Sequence, residues 1–228
     1  MKRLRTLLIR FENNLPAWQT PAFRGAVIEK VGKEHILFHQ HVGDDAYLYR
    51  YPLIQYKSIH HKPAILCLGD GVDEIHKLFH KKSWTIYVRD EKYDLVIDKL
   101  SLGNITMNVW NNTYAYTISR WLALNEKNYE TYKALSSEID RLAMLEKVLV
   151  GNILSFAKGI DWHVEQEIKV RIHELKATKK LKYKDAHLMG FDASFSTNVY
   201  LPEYIGLGKG ASHGFGVVRK IKEKETMK

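Results

Sequence analysis

Three histidines, His35, His39 and His41, crowd into the run KEHILFHQHVGDDAY at residues 33–47. Imidazole titrates near pH 6.5, so it is the side chain best able to give or take a proton at working pH. His39 and His41 lie two residues apart and share one face if the chain there is extended. The pair could also be half of a metal site, and a loop histidine is more often a plain surface residue. No further ligand is fixed by the sequence. Apart from His213, the remaining histidines, at 60, 61, 76, 80, 163, 173 and 187, form no pattern.

A second group of residues suits anion binding. The stretch GLGKGASHGFG at 206–216 holds five glycines, at 206, 208, 210, 214 and 216. Glycine is costly to order, so such a cluster marks positive φ or a close backbone approach. Successive N–H groups in a loop of this kind can hold an anion, and Lys209 adds a cation. A glycine-rich turn between two strands accounts for the composition equally well. Ser212 and His213 can donate to a phosphate or simply shape the turn. The third group is Lys176, Lys179, Lys180, Lys182 and Lys184. On a strand, Lys180, Lys182 and Lys184 point to one face. Such a row fits a nucleic-acid backbone, or guards an edge strand against aggregation.

The elements that must carry these residues follow from hydrophobic pattern. Leu4 to Phe11 reads as a strand. Thr20-Pro21 reads as an N-cap with proline at the first helical position, opening a helix over 21–31 that Gly32 stops. The histidine run follows. Ala46 to Ile59 reads as a strand, with Pro52 indicating an edge or a bulge. His60, His61 and Lys62 turn the chain into a strand at Pro63–Leu68. Gly69-Asp70-Gly71 then opens a second helix with Val72, Ile75, Leu78 and Phe79 on one face. Strands at Trp84–Val88 and Leu95–Met107 complete a β-α-β-β-α-β order.

The order then begins again. Thr113–Leu124 reads as a strand and is followed by a polar segment. A long helix over 137–158 carries Ile139, Leu142, Leu145, Leu149, Ile153 and Phe156 at steps of three or four. Ser137 and Asp140 form its capping box, and Gly159 ends it. Strands are expected at Glu165–Leu175 and Lys180–Leu188 with a turn at or near ATKK, then at Phe191–Val199 and Val217–Ile221. No second helix is evident in this half, unless a short turn lies near Leu201–Tyr204. The reading is α+β: two tandem ferredoxin-like, RNA-recognition-motif-like units at 1–110 and 111–228.

With 228 residues, 45% hydrophobic and 27% charged, the chain can bury a real core. A net charge of +9 points to a polyanionic partner, most often nucleic acid. The single Cys67 excludes an intrachain disulfide and a cysteine-clustered zinc site. It suits a reducing cytoplasm. The start, MKRLRTLLIRFENN, is interrupted too early by Arg10 and Glu12 to serve as a signal peptide. No apolar run is long enough for a membrane span, so no membrane partner is expected.

The loop at 206–216, with LPEYI before it and VVRKI after it, resembles the C-terminal glycine-rich loop of the RAMP superfamily of CRISPR proteins. Within that superfamily it looks most like the CRISPR-associated endoribonuclease that processes repeat transcripts. The family pattern is Gly-apolar-Gly, five residues usually including Lys or Arg, then Gly-apolar-Gly. Gly206, Leu207, Gly208, Lys209, Gly214, Phe215 and Gly216 fill it without a gap. HGFGVV at 213–218 is faintly similar to the RNP1 motif of RNA-recognition motifs. It lacks that motif's basic first residue and a second aromatic.

The resemblance implies a cofactor-free, metal-independent endoribonuclease acting on CRISPR repeat RNA, the precursor of guide RNA. The 2′-OH attacks the adjacent phosphate and leaves a 2′,3′-cyclic phosphate and a 5′-OH. In the family the catalytic histidine lies after the first helix and before the second strand, which implies His41 first and His39 second. Tyrosines assist in parts of the family, which brings in Tyr47 or Tyr49. The family's usual lysine near the histidine is missing: only Arg50 lies between His41 and Tyr51. The RNA clamp would be Gly206, Gly208, Lys209, Gly210, Ser212, His213, Gly214 and Gly216, with Lys180, Lys182 and Lys184. Two other readings stand beside this one. The first is a non-catalytic RAMP subunit that holds guide RNA among other effector subunits. The second is a basic RNA-binding module unrelated to CRISPR.

Overall fold

The structure is a computed structural model that describes residues 1–39, 41–42, 46–47 and 50–221. Its first half runs β1 (Lys2–Phe11), α1 (Thr20–Val31), β2 (His41–Val42), β3 (Ala46–Tyr47), β4 (Ile54–Ile59) and β5 (Lys62–Leu68). It continues with two one-turn helices, α2 (Gly71–Glu74) and α3 (His76–Phe79), then β6 (Thr85–Val88), β7 (Glu91–Asp94) and β8 (Ile97–Met107). The second half runs β9 (Val109–Trp121), α4 (Glu126–Ala134), α5 (Glu138–Gly159), β10 (Val170–Tyr183), β11 (Ala186–Val199) and β12 (Val217–Lys220).

Each half builds a four-stranded antiparallel sheet, in the order β4-β5-β1-β8 and β10-β11-β9-β12. Counting only the sheet strands of each half, both orders are second-third-first-fourth. That is the ferredoxin-like arrangement expected from β-α-β-β-α-β connectivity. In the second half no α-helix lies between the third and fourth strands; residues 200–216, with the glycine loop and its one 3-10 turn at Ala211–His213, make that connection. The chain divides into two compact units. The first comprises Met1–Met107, Ser155–His163 and Gly210–Gly214; the second comprises Asn108–Leu154, Val164–Lys209 and the segment that begins at Phe215.

In the first unit, alternate residues of β1 supply Leu7, Ile9 and Phe11 to a core shared with Phe23, Val27 and Val31 of α1 and with Tyr56 and Ile65. Phe23 sits edge-on to both Phe11 and Tyr56, at 6.2 and 5.9 Å between centroids. Fully burying side chains of this size stabilises by about 1.5–3 kcal/mol each. In the second unit Leu145, Leu149 and Ile153 of α5 are fully buried, as are Tyr116, Phe191 and Phe195 of the sheet. The α5 stripe begins later than its periodicity predicts, because Ile139 is 77% exposed. Ser137 caps the helix as expected, its hydroxyl accepting from the Asp140 N–H at 3.4 Å.

Several expectations are corrected. Thr20 is already helical, and its hydroxyl donates to the Ala17 carbonyl at 3.0 Å, so Gln19 holds the N-cap position. The Ala46–Ile59 strand is two pieces, β3 and β4, and β4 is an edge strand, consistent with Pro52 just before it. His60 and His61 do turn the chain, with φ of 51° and 60° in the two-residue loop between β4 and β5. The polar segment after β9 contains α4. No turn occurs at ATKK: β10 runs through it, and two bulges, at Ile172/Glu174 and Leu175/Ala177, absorb the irregularity. The hairpin turns instead at Lys184-Asp185, where Lys184 takes φ 54°. Among the described residues no helix is long and apolar enough to cross a membrane.

Candidate nucleic-acid interface

The histidine run leaves α1 through Gly32 and forms a three-residue 3-10 turn, Ile36–Phe38, anchored by the buried Phe38. His35 Nδ1 lies 3.0 Å from Glu74 Oε1. His39 Nε2 lies 2.6 Å from the Lys33 carbonyl, which requires that nitrogen to carry the proton and donate. The His39 carbonyl in turn accepts from the Arg24 guanidinium at 2.8 Å. His41 begins β2, and the antiparallel register sets it directly opposite Tyr47 of β3. Asp44, Asp45 and Tyr49 lie outside the described residues.

The glycine loop is a folded, largely buried segment rather than an open turn. Leu207 and Phe215, the apolar members of the two Gly-apolar-Gly triplets, are fully buried. Phe215 lies under the Arg120 guanidinium, 4.4 Å from its ring centroid, and edge-on to Tyr183 at 5.6 Å. Gly208, Gly210, Gly214 and Gly216 all have positive φ, from 60° to 83°. Gly206 is buried and bridges to Val217. Close approach adds to backbone conformation as the reason for glycine. A β-carbon at Gly208 would lie 2.9 Å from Trp121 Nε1, and one at Gly214 2.9 Å from Thr20 Cγ2.

The N–H groups of Leu207, Lys209, His213 and Gly216 donate to the carbonyls of Gly216, Leu122, Gly210 and Arg120. Four donors of the expected anion cradle therefore hold the loop together. Ser212 is buried and its hydroxyl lies 3.1 Å from His213 Nδ1. Lys209 is the loop's exposed cation, its ammonium 5.5 Å from the Tyr183 ring centroid.

The lysine row divides. Lys180 and Lys182 are exposed on β10, an edge strand, while Lys184 has left the strand for the turn. The three therefore do not form one row. Lys180 and Lys209 both line a cavity of about 600 Å³ in the second unit; Lys182 and Lys184 do not. This cavity leaves no mark in the sequence, because its walls come from 124–126, 129, 178–180, 187–189 and 209.

Lys57 was also not anticipated. It is fully buried in β4, and its Nζ donates to the Ala211 carbonyl in the middle of the glycine loop, at 2.9 Å. Burial pushes its ammonium down to about 7. In the unfolded chain the same amine titrates near 10.5. Between those values the unfolded chain holds a proton that the folded chain has shed, so this group makes stability rise with pH through that window. Below it both states are charged and the gain is absent. The melting temperature of the native chain minus that of Lys57→Met should therefore increase from about pH 6 to about pH 9. Parallel pH profiles for the two proteins would show that Lys57 folds with its proton.

Comparison with known proteins covers nearly the whole described chain. The family profile described as the Cas6b N-terminal domain matches residues 2–106, and that described as the Cas6b C-terminal domain matches residues 108–221. A crystal structure of Cas6b is 31% identical with a TM-score of 0.88, covering 96% of this chain and all of that one. A crystal structure of the CRISPR RNA processing endoribonuclease Cas6b is 30% identical with a TM-score of 0.72 and the same coverage. An uncharacterized protein of Methanocaldococcus jannaschii is 43% identical over 106 residues, which is 46% of this chain and 71% of that protein.

Proposed function

Because this chain belongs to the Cas6b family, we propose that it is an endoribonuclease that cuts CRISPR repeat RNA within each repeat to release guide RNAs. The reaction is an internal transesterification. The 2′-oxygen bonds to the adjacent phosphorus as the P–O5′ bond breaks, giving a 2′,3′-cyclic phosphate and a 5′-OH. A base takes the 2′-OH proton, and an acid returns one to the departing 5′-oxygen, so no metal or cofactor is required. Histidine fits either task at neutral pH.

His41 is the first choice for this proton transfer and His39 the second, with Tyr47 as a hydrogen-bonding partner to the reacting groups. The observation that supports the choice is the β2–β3 register, which pairs His41 with Tyr47. Lys209 and the rest of the glycine loop, with Lys180 and Lys182, hold the RNA backbone; Lys184 joins them from the hairpin turn. Phosphate contacts of this kind fix position without reading sequence. The buried thiol of Cys67 suits a cytoplasmic protein.

Labelled repeat RNA incubated with the protein in EDTA tests the chemistry. Cleavage at one site, with a cyclic phosphate on the upstream product, is expected. Binding without cleavage, a need for divalent metal, or 5′-phosphate ends would overturn the reading. Affinity should fall steeply with salt, by about 0.7 in log–log slope for each single-strand phosphate neutralised.

A further inference from the structure

The cavity lined by Lys180 and Lys209 is built for more than a phosphate. It holds about 600 Å³, within the roughly 300–1,000 Å³ of small-ligand sites. Its lining is chemically divided. Leu124, Leu188 and Met189 give it apolar walls, and Tyr129 of α4 adds an aromatic ring. The cations come from other elements: Lys180 from β10 and Lys209 from the glycine loop. Lys179 also lines it, but its ammonium is held by Asp192 at 2.5 Å. Neither Lys180 nor Lys209 is in an ion pair among the described residues. The cavity's one carboxylate, Glu126, can accept from an exocyclic amine.

A phosphate alone needs only the two ammonium groups. An apolar, partly aromatic chamber beside them suits a planar base attached to that phosphate. Unpaired bases in RNA are recognised in this way, splayed from the strand and stacked on aromatic side chains. A base held within a helical stem cannot enter such a chamber.

We propose that this cavity captures one unpaired nucleotide of the bound RNA. The base lies against Tyr129, Leu188 and Met189, and its phosphate lies between Lys180 and Lys209. The inference rests on the reading of the chain as a repeat-RNA endoribonuclease. It adds to that reading a place where the protein senses a base as well as the backbone. Lys209 then links the glycine loop to base recognition rather than to charge alone.

The test is a set of repeat RNAs, each carrying a single abasic residue at one unpaired position, titrated against the native chain and against Tyr129→Ala. One abasic position should weaken binding to the native chain by about 10- to 100-fold, the range of a single base–aromatic stack. Tyr129→Ala should bind intact RNA more weakly, and should bind intact RNA and that abasic RNA alike. Met189→Trp, which fills the chamber from another wall, should behave in the same way, so a folding defect of one variant does not decide the outcome. If no abasic position matters, or if the abasic loss is unchanged in both variants, the cavity does not hold a base. If the native chain neither binds nor cuts repeat RNA, the broader reading fails and this inference fails with it.

Discussion

His41→Ala should lose repeat-RNA cleavage by about 10²- to 10⁴-fold, the usual contribution of a positioned general acid or base, while its affinity for the RNA should stay near that of the native chain. Among the clustered histidines, His35 is tied to Glu74 and His39 to the Lys33 carbonyl. The bond to the Lys33 carbonyl commits the Nε2 of His39 and fixes its tautomer, which makes it a poorer proton shuttle. His39→Ala should therefore cost less than His41→Ala. Tyr47→Phe keeps the ring and removes the hydroxyl, so it isolates whatever hydrogen bond that oxygen makes. Single-turnover rates at saturating protein, measured alongside dissociation constants, separate chemistry from binding. Full cleavage by both histidine variants would remove this region from the active site.

Gly216→Ala should unfold the second unit more readily than any other single methyl addition in the loop. Gly216 has φ 60°, which costs an L-residue about 1–2 kcal/mol. The new β-carbon would also overlap the Leu207 carbonyl. The Leu207 N–H donates to the Gly216 carbonyl at 2.9 Å, and the Gly216 N–H to the Arg120 carbonyl at 3.1 Å, so neither strand can move aside freely. A loss of more than about 3 kcal/mol follows. The control is Gly151→Ala in α5, where an added β-carbon meets no heavy atom within 4 Å. There the helix should gain about 0.5–1 kcal/mol. Denaturant unfolding of both variants checks the contrast, and equal midpoints would contradict it.

The elements with strong internal pattern were readable from residue types. Leu7, Ile9 and Phe11 alternate, and Leu145, Leu149 and Ile153 recur at helical steps, so β1 and α5 announce themselves. α4 does not: among its residues, Glu126–Ala134, none is buried, so no apolar stripe marks it. Its start is fixed instead by Asn125, whose side chain accepts from the Asn128 N–H at 2.8 Å. The missed continuity of β10 has a different cause. Ala177 and the lysines around it are weak strand formers, and pairing with β11 on one side holds them extended. At the candidate site, the glycine pattern was legible but its reason was not. Only the fold shows that Leu207 and Phe215 are buried anchors and that the glycines fit against Trp121, Thr20 and Leu207. Lys57 gave no signal at all, since its hydrogen-bond partner, the Ala211 carbonyl, lies far along the chain.

The two sheets share a strand order, and that order has a cost in time. In each, the first strand pairs with the last: Lys2 with Met107 in one, and Ile118 with Val218 in the other. Both pairings close loops of about a hundred residues, the kind of contact that slows folding most. A chain growing on the ribosome can complete the first sheet long before the second. The glycine segment bridges to that last strand through Gly206 and Val217, a contact that must wait for Val217–Lys220 to be made. The RNA grip proposed for that segment would therefore be the last property the nascent protein acquires, and termination between Met107 and Val217 would leave a finished first sheet without the closing strand of the second.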